Sequence, residues 1–296
     1  MLLKMQPSRP VSTNQMPTSN LRNHAQHRSV RELTADQLGA IQQFDTCMIA
    51  NAIERFGVRL RNEGFTRPGL HCLADGVPRV LGYAATFKIR SSDPPMVGNA
   101  YFDRTDWWNA IQHLPAPRIA VIEDLEAEHS AGSALGEVHA AILKAFRCQG
   151  VITNGAVRDL PAIRQMEFAV FARSAAVSHS YAHIVEYGGP VEIFGLRVQS
   201  SDLLYADCHG VVSIPLQVVE ELPRVAAEIR AEEQRVVAVC QSPHFSPEML
   251  LQAIKGKPSE TPAHNIIAEI GWRNADGRDR GIGRAIDVRL FQTRFR

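Results

Sequence analysis

The sequence predicts a mixed α/β domain in which strands and helices alternate. Three observations predict it. Short apolar runs such as Val80–Ile89, Arg118–Ile122, Gly150–Thr153 and Phe168–Ala172 have the length and residue types of strands. Between them, 137–146 carries apolar residues at helical spacing, and glycine or Asn-Gly turns mark the joins. Alternation of this kind implies helices layered on a sheet and excludes segregated helical and β halves.

Residues 1–28 are rich in Ser, Asn, Gln, Pro and Arg without a hydrophobic period, and are read as a flexible arm. The arm lacks acidic residues, as a mitochondrial presequence does, but Pro10 and Pro17 spoil an amphipathic helix. Thr34-Ala-Asp-Gln37 has the form of a capping box and opens the first helix. A second helix starts at Thr46, with Ile49, Ile53 and Phe56 on one side and Gly57 as its stop. Val80–Ile89 is a strand interrupted at Gly82, and Arg118–Ile122 a strand ending in acidic residues. The helix Glu137–Phe146 presents Val138, Ile142 and Ala145 or Phe146 on one face. Beyond Gly188, Val191–Val198, Leu203–Ala206 and Val211–Ile214 read as a β-meander or small barrel. A charged helix follows over 223–240, with Val225, Ile229 and Val236 as its stripe. The domain is placed at 29–254, and 255–296 is an Arg- and Gly-rich tail of little pattern.

Thirty-two Lys and Arg against 31 Asp and Glu leave no global field for nucleic acid or an acidic membrane. Five scattered cysteines without a CxxC pair argue against a disulfide framework and a zinc knuckle, so the thiols are read as reduced and the chain as cytoplasmic. No apolar run approaches the roughly 18 residues of a membrane helix.

The chemistry concentrates in Leu135-Gly-Glu-Val-His139 and, further on, Asn154-Gly-Ala-Val-Arg-Asp159. The helix start at Gly136–His139 offers unpaired N–H groups to a carboxylate. Arg158 adds a planar two-pronged donor for the same anion, while Asp159 and Glu137 are hard oxygen ligands suited to Mg²⁺ or Mn²⁺. Such a set binds a chelating 2-oxo acid and stabilises an enolate. The plainer alternative is an Arg-Asp pair that caps a turn. His179 and His183 lie four apart among Ser and Tyr residues and are read as pocket lining, not zinc ligands. Asp207-Cys-His-Gly210 is read as a structural turn, and Cys208-His209 as no nucleophilic dyad, because neighbours in an extended chain point apart. Trp107-Trp108 is read as core or interface, and Arg280-Gly-Ile-Gly-Arg284 is too short to argue RNA binding.

Gly136-Glu137, twenty residues, then Arg158-Asp159, together with Phe44-Asp-Thr46, Asn51-Ala52 and Ser201-Asp-Leu-Leu-Tyr-Ala-Asp-Cys-His-Gly210, resembles the family of 4-hydroxy-4-methyl-2-oxoglutarate aldolases and the regulator of ribonuclease activity A. The resemblance spans about residues 35–250. It implies an α/β sandwich with a compact β-rich core flanked by helices, assembled as trimers or hexamers with sites at subunit interfaces. It also implies a metal-dependent lyase acting on a small 2-oxo acid by way of a pyruvate enolate. In that scheme Asp159 ligates Mg²⁺ or Mn²⁺, Glu137 acts through a water on the metal, and Arg158 holds the substrate carboxylate with Gly136 and the N–H groups of Val138 and His139. A neighbouring subunit lends an acid from its C-terminal helix, for which Glu233 is the match, with Glu232 next to it. The aldolases carry Asp where this chain has Glu137. Inhibitory members lack the full acidic and Arg-Asp set, which favours an enzyme over a ribonuclease regulator. An enzyme of the same scaffold acting on a sugar acid is the remaining alternative.

Overall fold

The computed structural model describes residues 31–74, 79–95, 104–128 and 132–256. The arm 1–28, the Arg280–Arg284 motif and all of the tail beyond Gly256 lie outside the described residues.

Helix α1 (Ala35–Ile41) begins in the expected capping box. Thr34 Oγ1 accepts the Gln37 N–H at 3.2 Å, and Gln37 Oε1 accepts the Thr34 N–H at 2.9 Å. Helix α2 (Thr46–Phe56) is capped by Asp45 and stops at Gly57, whose φ of 61° is the left-handed conformation glycine adopts cheaply.

The main sheet contains β1 (His71–Cys72), β2 (Arg79–Arg90), β3 (Arg118–Asp124), β5 (Cys148–Thr153), β7 (Ala169–Ala172), β9 (His183–Tyr187), β12 (Leu203–Asp207) and β13 (Gly210–Ile214). Their order is β1-β7-β5-β3-β2-β12-β13, with β9 pairing the far half of β2. β2, β3, β5 and β7 run parallel; the other pairings are antiparallel. Between the parallel strands lie α3 (Arg104–Ile111), β4 (Ser133–Leu135), α4 (Glu137–Ala145), β6 (Ala156–Val157) and α5 (Leu160–Gln165). β8 (Ser174–Ala175) follows β7, and β10 (Val191–Ile193) with β11 (Leu196–Val198) forms a separate hairpin. Helices α6 (Leu222–Cys240) and α7 (Pro247–Lys255) end the described chain. No described helix is long and apolar enough to cross a membrane.

Alternation along β2 sorts the core. Leu81 and Tyr83 join α1, α2 and α6, and Ala85, Phe87 and Ile89 join α3, α4 and α5. Val80 and Ala84, on the opposite face, pack with residues of β3, β12 and the β10–β11 hairpin. Fully burying one such Leu, Ile or Phe stabilises by roughly 1.5–3 kcal/mol. Two buried tyrosines fasten the N-terminal helices to the sheet. Tyr83 Oη accepts the Leu33 N–H at 2.9 Å, and Tyr205 Oη donates to the Phe44 carbonyl at 2.7 Å.

Several expectations are corrected. Gly82 does not interrupt β2: a Cβ there would lie 2.7 Å from the Pro117 carbonyl, so glycine permits close strand approach. The buried face of α4 is Ala140 and Leu143, and Val138 is 60% exposed. Val191–Val198 is a tight hairpin turning at Phe194-Gly195, both with positive φ. β12 and β13 extend the main sheet and do not form a separate barrel. Helices α3, α5 and α7 were not predicted.

The N-terminus of α2 is tied to the β12–β13 hairpin by the buried Asp207, whose Oδ2 accepts the Thr46 N–H at 2.9 Å and Oδ1 the Thr46 hydroxyl at 2.6 Å. Burial pushes this carboxyl up, but the donors of Thr46 and His209 outweigh it and hold the group below the usual carboxylate range. A carboxyl depressed in this way stabilises the fold above its unfolded value of about 4, and the contribution is lost as pH falls through the folded value. Thr46→Val is expected to lower the unfolding free energy by about 1–3 kcal/mol, read as a shifted urea midpoint at constant slope. The deficit of Asp207→Asn against the parent should be large near neutrality and shrink in acid. A deficit that does not depend on pH would remove the ionised carboxylate from this account.

Candidate active site

Strands β4, β6 and β8 form a small parallel sheet, in register Ser133 with Ala156 and Ala156 with Ser174. Their carboxyl ends therefore deliver three segments to one edge: Gly136-Glu137, Arg158-Asp159 and the chain after Ala175. The Arg158 N–H donates to the Leu135 carbonyl at 2.9 Å and the Ala176 N–H to Val157 at 2.9 Å, which locks the segments together. The carboxyl edge of parallel strands is where α/β proteins place ligands.

Asp159 sits at φ 59°, ψ 30°, a left-handed conformation costly for a residue with a Cβ. It is the N-cap position of α5, yet its side chain does not cap that helix. Oδ2 instead accepts the Glu137 N–H at the start of α4, at 3.1 Å, and lies 3.5 Å from Arg158 Nε. Gly136 makes this approach possible, since a Cβ there would stand 2.5 Å from Asp159 Oδ2 and 3.0 Å from Arg158 Nε. The two expected halves of the site are thus in direct contact. The side chains of Arg158 and Asp159 are 35% and 39% exposed, Glu137 is exposed, and the edge is open on one side. Oδ1 of Asp159 takes no hydrogen bond from the described residues, so a hard cation has a carboxylate oxygen with a pre-oriented partner.

Behind this edge the buried Asp124, at the end of β3, accepts the Ser91 hydroxyl at 3.1 Å and the Glu126 N–H at 2.9 Å. Asn154 bridges to it through both backbone groups, at 2.7 and 3.0 Å. Glu126 takes the Ser92 and Ser91 N–H groups, which with Arg90 draw its carboxyl down to about 2. Nothing in the spacing of these residues pointed to this network, because its members come from three strand ends.

His139 lies in the first turn of α4 with the Trp108 ring 6.4 Å away and edge-on, so Trp108 flanks the site as well as the core. His179 and His183 do not share a helix. Their Nδ1 atoms meet the Ser180 and Tyr181 carbonyls, and His183 opens β9. Ser178 accepts the Ser133 N–H at 2.9 Å, which lays this segment beside β4.

Glu233 is exposed on α6, and α6 packs with α1, α2 and the second core cluster, not with α4 and α5. The chain itself therefore does not bring Glu233 to Arg158. Glu232 is committed to Arg55 at 2.7 Å. A depression of about 510 Å³ lies at the opposite, amino-terminal ends of β3 and β5, lined by Arg79, Lys144, Arg147 and Glu167. Two of its cations are spent on helix and loop carbonyls, Arg79 on Gln42 and Phe44, Lys144 on Met166.

Gly136→Ala is expected to displace the Asp159 carboxylate and cost about 1–3 kcal/mol of unfolding free energy. Val138→Ala, on an exposed position two residues on, should change stability by less than about 0.5 kcal/mol. Equal effects in urea unfolding would show that the Asp159–Glu137 contact contributes nothing.

Comparison with known proteins agrees with this fold. A protein of Halalkalibacterium halodurans, provisionally named a 4-hydroxy-4-methyl-2-oxoglutarate aldolase, is 23% identical over 169 residues, 55% of this chain and 80% of its own length. An uncharacterized protein of Pseudomonas syringae has the same fold, with a TM-score of 0.57 at 20% identity, over 75% of this chain and 98% of the other. So does RraAS2 of Streptomyces coelicolor, described as an unusual member of the RNase ES inhibitor RraA family. Its TM-score is 0.55 at 17% identity, over 69% of this chain and 96% of that one. The RraA-like family, described as Aldolase/RraA, includes both aldolase-type members and non-catalytic ribonuclease regulators. Its profile matches residues 46–213, more than half of the chain, and the protein belongs to this family.

Proposed function

We propose that the protein is a divalent-metal-dependent lyase that cleaves a carbon–carbon bond of a small 2-oxo acid through a pyruvate enolate. It would act as a 4-hydroxy-2-oxo acid aldolase, an oxaloacetate decarboxylase, or both. The observation that carries this reading is the contact of Asp159 with both Arg158 and the Glu137 N–H, at the open edge of β4, β6 and β8 where α4 begins.

Arg158 binds the substrate carboxylate through two parallel N–H groups, and the N–H groups of Val138 and His139 complete its cradle. Gly136 keeps the approach clear. Glu137, through a water, takes the proton of the 4-hydroxyl as the C3–C4 bond breaks and returns one to C3 of the enolate. In the decarboxylation the C3–carboxylate bond breaks instead, CO₂ leaves, and the same group protonates C3. Arg158 stabilises the negative charge that develops on the enolate oxygen.

Mg²⁺ or Mn²⁺, when bound, supplies a Lewis acid at the 2-oxo group. Asp159 would hold it directly, Glu137 would reach it through a water, and Glu233 of a neighbouring subunit would add the remaining acid. That last assignment requires a homotrimer or homohexamer. The exposed Val237 on α6, and Met249, Leu251 and Ile254 on α7, support such an assembly. The catalytic unit is assigned to 29–254.

Pyruvate release from oxaloacetate and from 4-hydroxy-4-methyl-2-oxoglutarate is expected with Mg²⁺ or Mn²⁺ and not with chelator. Asp159→Ala and Arg158→Lys should each lower kcat/KM by at least about a hundredfold, and Glu137→Gln should act mainly on kcat. Folded, oligomeric protein that releases no pyruvate would sink the lyase reading. Turnover of a sugar acid would then point to a different substrate on the same scaffold, and binding to a ribonuclease to the regulator.

A further inference from the structure

The β12–β13 hairpin turns through two residues, Cys208 and His209, between the paired Asp207 and Gly210. Gly210 has φ 129°, which allows so short a loop. In an extended strand the two side chains would point apart, but the turn brings Cys208 Sγ to 3.6 Å from His209 Nδ1. The same nitrogen lies 3.1 Å from Asp207 Oδ1. A nucleophilic relay needs the thiol on one ring nitrogen and the acid on the other, as in Cys-His-Asp sites. Here both meet Nδ1, so the cluster is not a catalytic dyad, although for a different reason than the one drawn from the strand geometry.

Three groups able to ligate a cation instead sit together, with their ligand atoms within 4.8 Å of one another. The edge of a tetrahedron around zinc with N and S ligands is about 3.6 Å, so the thiol–imidazole separation needs little change to hold a cation. Asp207 is already oriented by Thr46 and by the His209 N–H at 2.9 Å, the kind of outer support that fixes metal ligands. Cys208 and the His209 side chain are exposed, the latter by 53%, so a cation has access.

We propose that this hairpin carries a second metal site, for a borderline divalent cation of the zinc class, held by Cys208 Sγ, His209 Nδ1 and Asp207 Oδ1, with solvent completing the coordination. Sulfur and imidazole donors select such ions over Mg²⁺ and Mn²⁺, so the site is chemically distinct from the oxygen-rich one at Asp159. It sits where α2 is tied to the sheet, and its occupancy adds stability to that junction by mass action.

The test is a Co²⁺ titration of the full chain, stripped with chelator and kept reduced with a phosphine. One equivalent should develop a thiolate-to-cobalt charge-transfer band with the visible bands of tetrahedral cobalt, and Zn²⁺ should abolish both and raise the unfolding midpoint. Cys208→Ser should remove the charge-transfer band, and His209→Ala should weaken binding at least about tenfold. Asp159→Ala should leave the band intact, which separates this site from the proposed lyase centre. Urea unfolding of the metal-free variants checks that they are folded. Absence of the band in folded parent protein, or its survival in Cys208→Ser, overturns the site.

Discussion

Strand β2 is hydrogen-bonded along both edges: to β3 on one side, and on the other to β12 over its first half and β9 over its second. Twelve residues long, it is buried at nearly every position, and the Leu81 N–H, beyond the reach of β3, is taken by Gln149 Oε1. Because its side chains alternate, the same strand supplies the α1–α2–α6 layer, the α3–α4–α5 layer and the core under the β10–β11 hairpin. Gly82 belongs to this constraint, since any side chain there would drive the strand off the Pro117 carbonyl. The two ends of the molecule where chemistry can occur are both positioned from β2: the carboxyl ends of the parallel strands through β3 and β5, and the β12–β13 hairpin through β12.

At the first of these ends, a strained aspartate does two jobs. Asp159 occupies a left-handed backbone conformation that costs of order 1–3 kcal/mol for a non-glycine residue, and it spends one carboxylate oxygen on the neighbouring helix. The result is a rigid link between the turn after β6 and the start of α4. A looser link would let Arg158 and Glu137 drift apart by the ångström that matters for orienting a substrate. At the second end, Asp207 plays a parallel part: a carboxylate on a strand end that caps the start of a helix brought from a distant part of the chain. In both places a tertiary carboxylate takes an N–H at a helix start: at α4, where Gly136 has no side chain to cap with, it stands in for a local cap, and at α2 it adds to the cap that Asp45 supplies.

Much of this was legible in advance where the controlling interaction is local. The Thr34–Gln37 capping box, the helix from Thr46 ending at Gly57, and the strands read at Arg118–Ile122 and Gly150–Thr153 depend on residues within a few positions of one another. The candidate site was legible for a different reason. Gly136-Glu137 and Arg158-Asp159 lie at the ends of successive βα units, and such ends meet at one edge of a parallel sheet. What escaped were elements too short or too evenly polar to carry a period, such as α5 and the two-residue strands β6 and β8. The inward face of α4 was also misjudged. Ala140 and Leu143, not Val138, point to the core, and the difference is a rotation that only the packing partners specify.

The sequence by itself determined an α/β chain, its main strands and helix starts, and the pairing of an acidic helix start with an Arg-Asp turn. Those follow from hydrophobic spacing, cap residues and donor chemistry, which act over a few residues at a time. Tertiary structure alone decided three things. It made Asp159 cap α4 and not its own helix. It assembled Asp124, Ser91, Asn154 and Glu126 into one hydrogen-bonded network. It turned Cys208 and His209 toward a shared point instead of apart. Each of these rests on groups whose separation is set by how strands register and how tightly a loop closes, and a one-dimensional pattern does not encode those distances.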